Sequence, residues 1–353
     1  VPDATRLMCC DLNWTRYSEK YAPPSMPQDW AYMDPKEYFD WHMEFGNNAM
    51  FCQAYTFCGY AFYRTNLGPV APGPGGDLLP NLLKLANNAG VPFWSYFSVS
   101  WDLIARGLRR DWLFPDHPGG WCLAPETSWT DLLCQRVREF LTDFPVDWIL
   151  FDMFLYGEVE TNKFAVEPSE IVREPFEEII GRAMPDTAEE ITPEESMAYK
   201  REIMGRQFAR IKETVKETSP KTKILFNVPY LEPTEPIWTD HPMLTHSDGL
   251  FAECTRPDIL EWLLEVKQPG QRVMTTLLGH TGPGWCDPNS WRRWYDAGCD
   301  FFGYTFGTPP DFRPHPFYHD GLEITRNAFA EIEKQRSAGL RCESLNTGYG
   351  GTS

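Results

Sequence analysis

The 353-residue chain has no apolar run of the roughly 18 residues that a membrane helix requires, so a spanning segment is not expected. Positive charge is scarce: 32 Lys and Arg stand against 50 Asp and Glu, a formal net charge of -18. That balance excludes nucleic acid and anionic membrane surfaces as expected partners, since both are bound by clustered cations. No Cys-x-x-Cys pair and no His-rich spacing that would suggest structural zinc occur among its 10 Cys and 7 His, and no metal or cofactor is expected. A phosphate loop, a Gly-x-Ser-x-Gly elbow and a His-Glu-x-x-His helix are also missing, which argues against kinases, serine esterases and zinc peptidases. Val1-Pro2-Asp3 opens no basic and apolar leader, and a cytoplasmic protein is the expectation.

What is present is a repeated alternation of short apolar runs and helical patterns. The most continuous run is Trp148-Ile149-Leu150-Phe151, closed by Asp152. It is too short and unbroken for an amphipathic helix and reads as a strand buried on both faces. A carboxylate at the end of such a strand must be paired or solvated by a cavity.

The first run, Leu7 to Trp14, ends in Asp11, Asn13 and Trp14. A helix from Pro35 to Phe45, stopped by Gly46, leads to the second run, Ala49 to Tyr55. After the Pro/Gly loop 69–76, Asp77 is placed to cap a helix over Leu78–Ala89, and Phe93–Val99 is the third run. A helix from Trp129 to Leu141 precedes the fourth. An acidic, Pro-punctuated segment, about 158–191, reads as an insertion on the rim. Thr192-Pro193-Glu194-Glu195 then opens a long helix with a capping box. Further runs are Ile224–Val228, Gly249–Glu253, Val273–Leu278 and Phe301–Phe306. Helices follow from Asp287-Pro288 to Gly298 and over Leu322–Gln335.

Eight runs separated by helices fit a single (β/α)8 barrel of the TIM type over residues 1–338, with a polar, Gly-rich tail at 339–353. A doubly wound sheet is the alternative, but no Gly-rich dinucleotide turn follows the first run. The cysteines beside these runs, including Cys9, Cys10, Cys52, Cys254 and Cys299, read as buried thiols. The sequon Asn13-Trp14-Thr15 falls at a buried strand end, where glycosylation is not expected.

In a barrel of this kind the site lies at the C-terminal strand ends. The residues there are Asp11, Asn13 and Trp14; Gln53 and Tyr55; Ser98, Trp101 and Asp102; Asp152 and Tyr156; Asn227 and Tyr230; Glu253; His280; and Tyr304. Trp121 lies on a loop of the same rim. Carboxylates with amides and aromatic faces suit glycoside cleavage, which needs one carboxylate at the anomeric carbon, one carboxylic acid at the leaving oxygen, and rings that stack on sugar C–H surfaces. A neutral carbohydrate is the expected partner, and a homo-oligomer is compatible with the composition. Two other classes stay open: a metal-dependent sugar isomerase or aldolase barrel, and a barrel that binds sugar without catalysis.

The order Gly59-Tyr60-Ala61-Phe62-Tyr63, Gly68, Asp77-Leu78-Leu79, Gly90-Val91-Pro92-Phe93, Tyr96-Phe97-Ser98 and Trp148-Ile149-Leu150-Phe151-Asp152 resembles glycoside hydrolase barrels related to the α-L-fucosidases. The resemblance implies a retaining mechanism with Asp152 as nucleophile and, at a less fixed position, Glu253 as acid/base. Asp102, Glu126 and Glu158 remain alternatives for the second role. The paired histidines that those enzymes use near strand two are absent, and Gln53-Ala54-Tyr55 stands in their place. An α-galactosidase-type substrate therefore stands beside a fucoside.

Overall fold

The computed structural model describes residues 3–13, 33–114, 122–156, 166–228, 242–278, 286–306 and 319–338. Eight strands form one sheet: β1 (Arg6–Asp11), β2 (Met50–Tyr55), β3 (Phe93–Ser98), β4 (Trp148–Asp152), β5 (Lys223–Asn227), β6 (Gly249–Ala252), β7 (Arg272–Leu278) and β8 (Asp300–Phe306). All ladders are parallel, in the order β1-β8-β7-β6-β5-β4-β3-β2. This is the barrel expected from the alternation of runs and helices.

The seam between β1 and β2 is closed by two adjacent asparagines rather than by a backbone ladder. Asn48 Oδ1 accepts from Arg6 N at 2.7 Å and Asn47 Oδ1 from Met8 N at 2.9 Å, while Asn47 Nδ2 donates to the Met8 carbonyl at 3.0 Å. These amides satisfy backbone groups that an open edge would leave unpaired.

Inside the barrel, period-two alternation sends every second residue of a strand inward. Trp94 and Trp148 stack at 4.7 Å, and Phe302 meets Phe51 and Phe251 edge-on, each at 5.2 Å. Gly249 makes room for this filling, because a Cβ there would lie 2.9 Å from Leu225 Cδ1 and 3.3 Å from the Trp148 ring. Acids at the strand starts tie strands together: Asp147 Oδ2 accepts from Phe93 N, Asp248 Oδ2 from Ile224 N and Asp300 Oδ1 from Thr5 N.

The helices Pro35–Phe45 and Leu78–Ala89 have the expected bounds, and the Thr192/Glu195 capping box opens the helix Pro193–Thr218. Asp77 does not cap its helix. Its carboxylate is taken by Arg64 in a forked pair at 3.0 and 2.7 Å. The segment between β4 and β5 contains a helix the prolines concealed, Glu170–Ile180. Val172 and Phe176 are buried there, and Phe176 packs on Tyr199 of the long helix at 5.8 Å, so apolar burial outweighs the interior Pro175. Pro257–Val266, between β6 and β7, supplies a helix that the reading of the sequence passed over. Nine described cysteines are free thiols, and all but Cys286 are buried. No described helix is long and apolar enough to cross a membrane.

Candidate active site

The inward residues at the C-terminal strand ends surround a pocket. Asp11 and Cys9 come from β1, Phe51 and Gln53 from β2, Tyr96 from β3, Leu150 and Asp152 from β4, Phe251 and Glu253 from and just beyond β6, and Phe302 and Tyr304 from β8. Within each strand the members are two residues apart, so one parity of the sequence builds the whole floor. Asn13, Phe57 and Met153 complete the lining from the loops.

Asp152 is held by three hydrogen bonds. Its Oδ1 accepts from Asn227 Nδ2 at 2.6 Å and from the Met153 N–H at 2.6 Å, and its Oδ2 accepts from the Tyr96 hydroxyl at 2.9 Å. Met153 reaches back in this way because its φ is 57°, a left-handed value that a side chain adopts at a cost. Burial pushes the Asp152 carboxyl above its ordinary pKa, and these three donors oppose it by favouring the anion.

Glu253 faces the same pocket. Burial pushes its carboxyl well above the ordinary glutamate value, and the charge of Asp152 pushes it further, with only the Asn227 amide opposing. The two acids therefore share an electrostatic field and the Asn227 amide, but Asp152 alone is also held by Met153 and Tyr96. Both are pushed upward, Glu253 more strongly, so Asp152 is the better placed of the two to carry the charge and Glu253 the proton, the division that acid–base chemistry at one site requires.

Gln53 and Asp11 form the opposite side. Gln53 Nε2 donates to Asp11 Oδ1 at 3.3 Å, and Asp11 Oδ1 also accepts from Asn13 N at 2.9 Å. Gln53 is 2% exposed, and its Oε1 has no protein donor among the described residues. An orphaned buried acceptor costs about 1–3 kcal/mol and marks a place where a ligand hydroxyl would be welcome. Asn13 Oδ1 accepts from Phe57 N at 3.0 Å, so the sequon asparagine is buried and engaged.

Several candidates from the sequence are placed elsewhere. Asp102 caps the helix Leu103–Leu108 through the Ala105 N–H at 2.8 Å and pairs with Arg136 at 2.7 Å, both side chains buried. It anchors the Gly59 loop and does not line the pocket; a Cβ on Gly59 would lie 2.3 Å from its Oδ1. Tyr55 has the parity of Gln53 but not its direction. The ladder slips between them, so that Gln53 pairs with Tyr96 and Tyr55 with Phe97, and the ring turns outward against Phe97 and under Arg136. Trp101 packs edge-on against Phe57 at 5.7 Å and backs the pocket wall. Tyr156 donates to Glu126 Oε1 at 2.7 Å, and Tyr199 donates to the same oxygen at 2.8 Å, which holds the alternative acid Glu126 outside the pocket lining. Asn227, read as a sugar contact, is fully buried behind Asp152. Trp14, Trp121, Glu158, Tyr230 and His280 lie outside the described residues.

Tyr96 is the side-chain donor to Asp152 missing from the strand-end candidates. It sits two residues before Ser98 in β3, and only the inward parity of that strand could have singled it out. Among the described residues no group of three or more His, Cys, Asp and Glu side chains could hold a metal ion.

No family model matches the chain, and no curated protein does. Solved structures do. An α-L-fucosidase, isoenzyme 2, from Paenibacillus thiaminolyticus superposes with a TM-score of 0.67 at 15% identity over 98% of this chain and 51% of that one. An α-L-fucosidase from Bacteroides thetaiotaomicron gives 0.52 at 14% identity, over 87% and 61% respectively. A bacterial fucosidase bound to an iminocyclitol inhibitor gives 0.53 at 15% identity, over 89% and 64%. The chain thus spans between half and two thirds of their length. At this identity the likeness establishes the shared barrel fold.

Proposed function

We propose that the protein is a retaining, exo-acting glycoside hydrolase that removes a neutral sugar, of the α-L-fucoside or α-D-galactoside type. The observation that carries this reading is the unequal pair lining one pocket: Asp152, bonded by three donors, and Glu253, pushed upward by burial and by the Asp152 charge. The fucosidase structures that share the barrel point in the same direction.

Each carboxylate oxygen has room for about two acceptor contacts. Oδ1 of Asp152 already accepts two N–H groups, whereas Oδ2 accepts, among the described residues, only the Tyr96 hydroxyl, so Oδ2 is the oxygen with a lone pair left for the anomeric carbon. In the first step Asp152 Oδ2 forms a bond to that carbon as the glycosidic C–O bond breaks, and the Glu253 proton passes to the departing oxygen. In the second step Glu253, now a carboxylate, takes a proton from water. The water oxygen displaces Asp152 and releases the sugar with its original configuration. Gln53 and Asp11 face the glycon from the far wall, and Tyr304 with Phe57 supplies apolar surface for its C–H face.

A panel of nitrophenyl glycosides, with α-L-fucoside and α-D-galactoside first, tests the activity. Proton NMR of the first sugar released tests the stereochemistry. Turnover with retention of configuration is expected; inversion would exclude a covalent role for Asp152.

A further inference from the structure

Asn227 holds a place that the two-carboxylate reading leaves unexplained. It ends β5, in register with Phe251, and the next residue is fixed by a hydrogen bond from Val228 N to the Phe251 carbonyl at 2.8 Å. The side chain is fully buried, touches no part of the open pocket, and puts Nδ2 2.6 Å from Asp152 Oδ1. The amide orientation is dictated by chemistry, since the carboxylate oxygen needs a donor and only the NH2 end can supply one. The other end, Oδ1, is buried with no donor among the described residues. A leucine would fill the same volume with no orphaned acceptor, so packing alone does not account for an amide here.

We propose that Asn227 is a positioning residue whose side-chain amide keeps the negative charge on Asp152 and thereby leaves the pocket's proton on Glu253. This rests on the two-carboxylate reading for its consequence in catalysis, but the division of charge is a property of the resting protein. Asp152 is faced by Tyr96 from β3, Asp11 and Cys9 from β1, Tyr304 from β8 and Glu253 beyond β6. None of these is a cation. Among the described residues, neutral N–H and O–H donors are the means by which the anion is held, and Asn227 makes one of the two shortest of those bonds. The same amide also favours the anion of Glu253, more weakly than burial and the Asp152 charge oppose it. Removing it therefore acts first on Asp152.

The test is a carboxyl carbon-13 NMR titration of the full chain labelled in Asp and Glu, with Asp152→Asn and Glu253→Gln assigning the two resonances. In Asn227→Leu the Asp152 midpoint should rise by about one unit or more, a tenfold weaker acid, and the gap between the two midpoints should narrow. Asn227→Ala serves the same purpose should the leucine variant not fold. An Asp152 midpoint that stays in place in a folded variant, or a change confined to Glu253, would overturn the assignment. Under the hydrolase reading, the acidic limb of kcat/KM for an aryl glycoside should move by the same amount with little change in KM. A shifted titration in a protein that turns over no glycoside would overturn the hydrolase reading and leave the role of Asn227 standing.

Discussion

The hydroxyl of Tyr96 donates to Oδ2 of Asp152 at 2.9 Å, from the strand next to the one that aspartate ends. That bond both stabilises the anion and aims the oxygen left with a lone pair. A hydrogen bond to a charged group is worth about 1.5–3 kcal/mol, which corresponds to one to two units of pKa. Tyr96→Phe should therefore move the acidic limb of the kcat/KM profile upward by about one unit and lower kcat at neutral pH about tenfold or more. A profile superimposable on the parent's would remove Tyr96 from the site.

Glu253→Gln should stabilise the fold while crippling the enzyme. A glutamate whose folded-state pKa is raised costs nothing below its unfolded value near 4.5, where both states are protonated, and costs progressively more as the pH climbs through the folded pKa. The glutamine variant should melt higher than the parent at pH 7, by about 2 °C for each kcal/mol of relieved cost, with the difference vanishing near pH 4. A lower melting temperature at pH 7 would contradict the buried-acid assignment. Turnover of poor leaving groups should fall far more than that of activated aryl glycosides, whose aglycones need no proton.

Asp102→Ala should behave as a stability variant and not as a site variant. It removes a helix cap and leaves Arg136 charged, buried and without its carboxylate. Breaking a buried pair from one side costs about 3–5 kcal/mol. Denaturant unfolding should show that loss, while kcat of the folded fraction at low temperature stays within about twofold.

The barrel could be read because its physics is local and repeated: eight apolar runs, most of them followed by a helix signal, leave few architectures that bury them all. The carboxylates could be read for a related reason, since Asp152 and Glu253 end runs that admit no other charge. Part of what escaped depends on a single slip of one residue. The irregularity between Gln53 and Tyr55 reverses the direction of a tyrosine that simple alternation places in the pocket, and nothing in Gln53-Ala54-Tyr55 announces it. Asp102 was misplaced because a strand-end acid and a helix N-cap look alike until Arg136, 34 residues on, is found beside it. Tyr96 was overlooked for the opposite reason, as an aromatic inside a strand reads as core.

Gln53→Leu should separate recognition from chemistry. Loss of the amide next to Asp11 removes a glycon contact from the far wall, away from the reacting pair. KM should rise about tenfold with kcat lowered less. Tyr55→Phe, by contrast, should change kcat/KM by less than about twofold, because that ring packs against Phe97 and Arg136 outside the pocket. A large effect of Tyr55→Phe alongside none for Gln53→Leu would reverse the assignment of the β2 residues.

The most direct measurement is covalent trapping. Incubation with 2-deoxy-2-fluoro glycosyl fluorides of the fucosyl and galactosyl series, followed by peptide mass spectrometry, should show one fluoroglycosyl group esterified to Asp152 in the Trp148–Asp152 segment. No adduct should form in Asp152→Asn. An adduct on Glu253, Asp11 or Glu126, or none at all with the sugar the enzyme hydrolyses, would contradict the account.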